Sequence, residues 1–231
     1  MISRRLRGIA VAAACAVALS SCGSVHPGDA ARVGDTTISD EQLSQSTRGF
    51  CDLIDVINQA QARGSVPVPV RSALLTALNT LVMGAALDHL AVQHGVGVTD
   101  AEVRSWIGRL PVQLNQVPDG RAGDLAMVTD RVARNALLVE KLGRMVYQRE
   151  NPGQGSPGAA AADQIQRLGQ QFASDYLSQV DVETNPRYGQ VLDTQKLPGT
   201  GSLSVPVSAE GRAGRTVPDP ASGLSQTEQC S

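Results

Sequence analysis

Aromatic residues are scarce in this 231-residue chain: Phe, Tyr and Trp make up 3% of it, with a single Trp. A core with so few rings must be filled by Leu, Val, Ile and Ala, which favours packed helices over a sandwich of aromatic and β-branched strands. An excess of either charge is also lacking. The formal net charge is −2, more negative still once an export signal is removed, and this mild acidity argues against nucleic acid or anionic lipid head groups as the main partner. Histidine occurs three times, at His26, His89 and His94. His89 and His94 are five positions apart on one predicted helix, about 140° round its axis, so they do not converge on a metal as an i, i+4 pair would. Asp88 points to a different face from His89. No Gly-x-Ser-x-Gly elbow is present, and no spacing singles out one Ser as a nucleophile. The Gly-rich stretches at 153–158 and 199–201 lack the Lys and the strand-to-helix switch of a phosphate loop. No catalytic residue, metal ligand or cofactor is therefore assigned, and no internal repeat is visible.

Hydrophobic runs are short, and the first one is informative. Arg4, Arg5 and Arg7 precede an uncharged stretch from Ile9 to Leu19, followed by Ser20, Ser21 and Cys22. A basic start, a short apolar middle and small residues before the cut describe an export signal over residues 1–21. The run is too short for a permanent membrane span. Leu19-Ser20-Ser21-Cys22 resembles the bacterial lipobox, which implies lipidation of the Cys22 thiol and cleavage before it. Two or more acyl chains anchor a protein stably, at about 0.8 kcal/mol per buried methylene. Removing residues 1–21, whose only charges are the three arginines, would take the formal charge from −2 to −5. The expected location is the outer face of the cytoplasmic membrane, with the membrane as a partner through the lipid anchor.

Of four cysteines, Cys15 falls in the signal and Cys22 is the lipidation site, leaving Cys51 and Cys230. A disulfide between them would persist in an exported protein and would be worth roughly 4 to 5 kcal/mol in a chain-entropy treatment. Two free thiols, one buried and one on a loose tail, are the other arrangement.

Residues 22–29 read as a polar tether. Ala31-Arg32-Val33 and Thr36-Thr37-Ile38 flank Gly34-Asp35 and predict a small strand pair or hairpin. Ser39-Asp40-Glu41-Gln42 fits a capping box, opening a helix with Leu43, Thr47, Phe50, Ile54 and Ile57 on one face; Gly64, Pro67 and Pro69 break it. A long helix over 70–94 carries Leu74, Leu75, Leu78, Leu81, Val82, Ala85 and Leu90, with Gly95 as its stop. Thr99-Asp100-Ala101-Glu102 is a second capping box, opening a short helix through Trp106 to Leu110, and 111–123 reads as a loop. A helix over 124–150 has Val128, Val132, Ala136, Val139, Leu142 and Val146 in phase. After the 151–157 linker, a last helix over 158–180 presents Ile165, Leu168, Phe172, Tyr176 and Val180. Val180 to Val182 alternates like a strand. From about 191 to 231 the composition turns to Pro, Gly, Ser and Thr, which predicts a disordered tail except near Cys230.

The run from Ala31 to Leu43, with its Gly-Asp turn and capped helix, looks like the opening of the SurA and PrsA type of exported chaperone. Gly95 to Val103 is similar to that family's junction after its long second helix. Val182-Glu183-Thr184-Asn185-Pro186-Arg187-Tyr188-Gly189 resembles the close of lipid-anchored actinobacterial members. The resemblance covers roughly residues 30–190. It implies a mainly α fold, a helical bundle with a small β element near the two ends of the domain, in which the first strands pair with the one near Val182. It also implies a groove for unfolded or exported polypeptides. Many members carry a parvulin domain; nothing between 151 and 157 or beyond 190 has the histidine or strand pattern for one, so prolyl isomerase activity is not expected.

Trp106 is a candidate groove anchor or a packing residue, and Tyr188, beside Arg187, is a recognition corner or a residue that packs back on the domain. Two functions of different class follow. One is a chaperone-like protein that holds exported chains without catalysis. The other is an accessory envelope lipoprotein that docks one defined partner.

Overall fold

The two-residue Gly34-Asp35 turn sets the geometry of the first structural unit. Gly34 takes a left-handed φ of 54°, as tight hairpins require. In the computed structural model, which describes residues 25–60, 68–110, 122–153, 161–188, 225 and 228–230, this turn joins β1 (Asp29–Val33) to β2 (Thr36–Ser39). The elements that follow are α1 (Asp40–Ala60), β3 (Val68–Pro69), α2 (Val70–His94), α3 (Asp100–Ile107), α4 (Ala122–Glu150), α5 (Ala162–Gln179), β4 (Val182–Thr184) and β5 (Gln229–Cys230). The export signal, Cys22, the breakers Gly64 and Pro67, residues 111–121, most of the 151–157 linker and nearly all of the 191–231 tail lie outside the described residues.

The chain is mainly helical, with a small antiparallel sheet joining the ends of the domain. β1 is its central strand, in the order β2-β1-β4. Ala31, Arg32 and Val33 pair with Thr184, Glu183 and Val182, and the Gly34 amide donates to the Asp181 carbonyl at 2.9 Å. Ala30 and Ala31 are wholly buried beneath the bundle, with Val33 and Ile38 nearly so.

Both capping boxes form. The Gln42 amide donates to Ser39 Oγ at 3.1 Å and the Ser39 amide to Gln42 Oε1 at 3.2 Å, opening α1. Thr99 and Glu102 exchange the same pair of bonds at α3. α2 stops as its sequence predicts: Gly95 is left-handed at φ 65°, and the Val96 amide donates to the Ala91 carbonyl at 2.8 Å, closing a Schellman motif. With a mean hydropathy of 1.4, α2 is the one described helix long and apolar enough to cross a membrane. In this fold it is the central helix, packed on α1, α4, α5 and the strands.

The buried faces of α4 and α5 differ from the sequence expectation. On α5 the buried positions are Ile165, Gly169, Ala173 and Leu177; Leu168, Phe172, Tyr176 and Val180 are half-buried at its flank. On α4, Val128, Val139 and Leu142 are buried as expected, whereas Val132, Ala136 and Val146 are half-buried. Leu125, Thr129, Ala133, Leu137, Leu138 and Gly143 are buried in addition. The reason is close contact between the two backbones. A Cβ on Gly143 would stand 2.0 Å from the Ile165 carbonyl oxygen, and one on Gly169 would stand 2.0 Å from that of Val139. Small residues fill the seam and the large ones turn aside. α2 follows the same rule, burying Ala73, Ala77, Gly84, Ala86 and Ala91 between its leucines. α3 ends at Ile107, short of the expected Leu110, and α4 begins at Ala122 rather than 124. α5 is described from Ala162; residues 158–160 lie outside the described residues. Near Cys230, where the tail expectation made its exception, β5 pairs with β3 and Cys230 is buried.

Gly143→Ala is expected to destabilise the fold by about 1–3 kcal/mol through overpacking. Gly97→Ala, where an added Cβ meets nothing within 4 Å, should change stability by about 0.5 kcal/mol or less. Urea unfolding followed by circular dichroism checks both.

Candidate functional site

Residues that the sequence marked at the two ends of the domain converge on α1. Tyr188 donates its hydroxyl hydrogen to Asp40 Oδ1 at 2.9 Å, Arg187 pairs with the other Asp40 oxygen, and the Arg187 guanidinium stands 4.6 Å over the Tyr188 ring. Asn185 completes the closure: its amide Nδ2 donates to the Asp29 carbonyl at 3.0 Å. Arg187 and Tyr188 together hold the Asp40 carboxyl below its usual range, with the Arg187 hydrogen bond the largest cause. Burial, then the bond to Asp40, push the Tyr188 phenol up. Tyr188 is thus a latch that packs back on the start of α1. Further along the same helix, Cys51 and Cys230 form a disulfide across 179 residues, with their Cα atoms 4.9 Å apart.

Trp106 lies elsewhere. It is half-buried against Val103, Ala133 and Leu137 at the α3–α4 contact, which is the packing role. α3 is held there by ion pairs from Arg134 to Asp100 at 3.5 Å and from Lys141 to Glu102 at 2.7 Å. The Lys141 hydrogen bond, followed by those from Thr99, lowers Glu102 to about 2.

The open surface that the sequence did not mark lies between α2 and α5. A cleft of about 620 Å³ is walled by Leu90, Phe172, Tyr176 and Val180 and edged by His89, Gln93, His94, Arg149, Asp175 and Gln179. His89 stacks on Tyr176 with ring centroids 4.8 Å apart and planes at 20°, and His94 meets Phe172 at 5.3 Å. The two histidines line the same cleft, and each meets its own aromatic partner. Asp88 turns to α4, where it pairs with Arg131 at 2.8 Å. The i, i+4 spacing of Phe172 and Tyr176 was the available signal for this cleft, but it reads equally as a core face. A smaller cleft of about 320 Å³ lies between α2, α4 and α5, lined mostly by apolar atoms of Val82, Met83, Val132 and Leu177. There Asn135 donates to the Thr80 carbonyl at 3.0 Å, and its Oδ1 has no hydrogen-bond partner among the described residues. Neither Trp106 nor Tyr188 lines either cleft. Among the described residues, no group of three or more His, Cys, Asp or Glu side chains is placed to hold a metal ion.

No protein-family model, curated protein or solved structure matches the chain.

The Asp40 carboxyl is ionised more readily in the folded chain than in the unfolded one. Its contribution is therefore present above the ordinary aspartate range and lost as pH falls through its lowered value. Tyr188→Phe should cost about 1 kcal/mol at neutral pH and reduce the acid sensitivity of Tm, and an Asp40→Asn chain should lose little more when Tyr188 is also changed. Glu102 has the same sign: the α3 contact should hold down to the normal glutamate range and weaken as pH approaches 2. Trp106 fluorescence during acid titration reports that loosening, and Glu102→Gln should abolish it.

Proposed function

We propose that the chain is an exported, lipid-anchored protein that binds unfolded or exported polypeptides without catalysis, a chaperone-like role at the outer face of the cytoplasmic membrane. The observation that carries this reading is the α2–α5 cleft. It offers the Phe172 and Tyr176 rings and Val180 for a client side chain, in a lining that is about half polar through Arg149, Asp175, Gln93, Gln179 and two imidazoles. Such a surface binds by area and adaptability rather than by reacting-group geometry. Export is supported by the Cys51–Cys230 disulfide, a bond that persists outside the reducing cytosol, together with the signal-like residues 1–21. Lipidation rests on the lipobox-like residues ending at Cys22. The return of β4 to β1 supports the SurA and PrsA likeness in the order of its elements.

A second reading, docking to one defined envelope protein, is favoured by a specific observation. Among the described residues the exposed large apolar side chains are Val92 and Met127, and single side chains do not make a broad adhesive patch.

The test uses the mature chain carrying Cys22→Ser, incubated with several unrelated denatured proteins while light scattering is followed. Suppression of aggregation is expected for more than one client, with Phe172→Ala/Tyr176→Ala raising the amount required by about tenfold, equivalent to about 1.4 kcal/mol of contact energy. No suppression of any client, alongside stoichiometric binding of one envelope protein, would replace the chaperone reading with the docking one.

A further inference from the structure

β3 and β5 form a sheet of their own, separate from the one that closes the domain. Val68 pairs with Cys230 and Pro69 with Gln229, antiparallel. A two-residue ladder is far below the size at which strands hold by themselves. Two further contacts keep this one in place. The Cys51 disulfide ties it to α1, and Cys230 is 7% exposed within the cluster that includes Phe50, Ala73 and Ala77. Gln229, its neighbour, is half-exposed. The seat beneath β5 is therefore built by α1, β3 and α2 and has a defined preference. It takes an extended backbone by main-chain pairing, which any sequence can supply, and one small, weakly polar side chain pointing inward.

We propose that β5 is the chain's own occupant of a strand-accepting groove, and that reduction of the Cys51–Cys230 disulfide frees this groove for an extended segment of another polypeptide with a small inward side chain. The identity of the partner rests on the polypeptide-binding reading; the groove does not. The reductant is an exported dithiol of the thioredoxin type. Its thiolate attacks one sulfur of the bridge to give a mixed disulfide, which its second thiol resolves. Two electrons and two protons pass to Cys51 and Cys230, and the dithiol becomes a disulfide. With the covalent tie gone, a two-residue ladder remains to compete with an incoming strand.

The test uses the mature chain with Cys22→Ser and Cys230→Ser, leaving Cys51 as the free thiol beside the seat. Two peptides are offered in a glutathione redox buffer: one with the chain's own residues 222–231 and one with the same residues scrambled around the cysteine. Mass spectrometry reads the mixed disulfide with Cys51. The native-order peptide is expected to couple at least about tenfold more at equal exposure, a preference equivalent to about 1.4 kcal/mol. The oxidised Cys22→Ser chain should couple neither peptide until reductant is added. Equal coupling of both peptides would overturn the proposal, because Cys51 would then be a reactive thiol without a strand seat. Circular dichroism establishes that the variant is folded. If it is not, the same peptide comparison on the Cys22→Ser chain, at a reductant dose that leaves its helical signal intact, decides the question. Client aggregation is not read in this assay, so failure of the seat and failure of the chaperone reading are separate results.

Discussion

The antiparallel pairing of Asp29–Val33 with Val182–Thr184 is the constraint on which the rest of the fold depends. Among the described residues β1 is the only strand bonded on both sides, so it joins the first hairpin to a segment that follows the five described helices. A sheet whose strands are 5, 4 and 3 residues long has little apolar face of its own and depends on packing against helices. It is held because Ala30, Ala31, Val33 and Ile38 are buried in the main core cluster, and because β1 packs on α2. Closing so long a loop costs chain entropy. The Asp40–Arg187–Tyr188 latch and the Asn185 bond to Asp29 offset part of that cost at the point where the chain returns. The disulfide adds a second covalent closure on the same helix. α1 is therefore the element to which both later segments are fastened.

The candidate cleft is a consequence of packing elsewhere. Gly143 and Gly169 let α4 and α5 approach until backbone meets backbone. With Gly169 and Ala173 in that seam, Phe172 and Tyr176 cannot also point into it, and they stand on the flank toward α2. There they meet His94 and His89. With Gly169 and Ala173 at the close contact, the two rings take the flank, and this is how a chain with 3% aromatics places two of them beside an open surface.

Much of this was legible in the residues. Gly34-Asp35, the two capping boxes and Gly95 act locally, through φ angles and hydrogen bonds within a few positions, so reading the sequence placed them correctly. The limits of α2 follow from the same local chemistry. The faces of α4 and α5 were legible only in part: Val128, Val139, Leu142 and Ile165 are buried as expected, but a periodicity of large apolar residues marks what is hydrophobic and says nothing about which helices come close enough to need glycine. Ile165 was in phase by either rule; Leu168, Phe172 and Tyr176 were not. The α2–α5 cleft was missed for the same reason. Tyr188 was legible as a packing residue once Pro186 and Gly189 were taken as a turn. Its partner Asp40 was marked only as a first-turn acid, and no local signal connects positions so far apart. The sequence left the Cys51–Cys230 pairing open because spatial proximity is a property of the closed fold.

The disulfide, the latch and the strand pairing describe a domain whose end is returned to its beginning and secured there, with the α2–α5 cleft at its surface. Native-state hydrogen exchange tests this closure most directly. If closure governs the fold, the amides of Ala31 and Val33 exchange only with global unfolding, at the same rate as the central turns of α2. If those strand amides exchange freely while α2 stays protected, the sheet is an attachment to an independent bundle, and the closure described here is wrong.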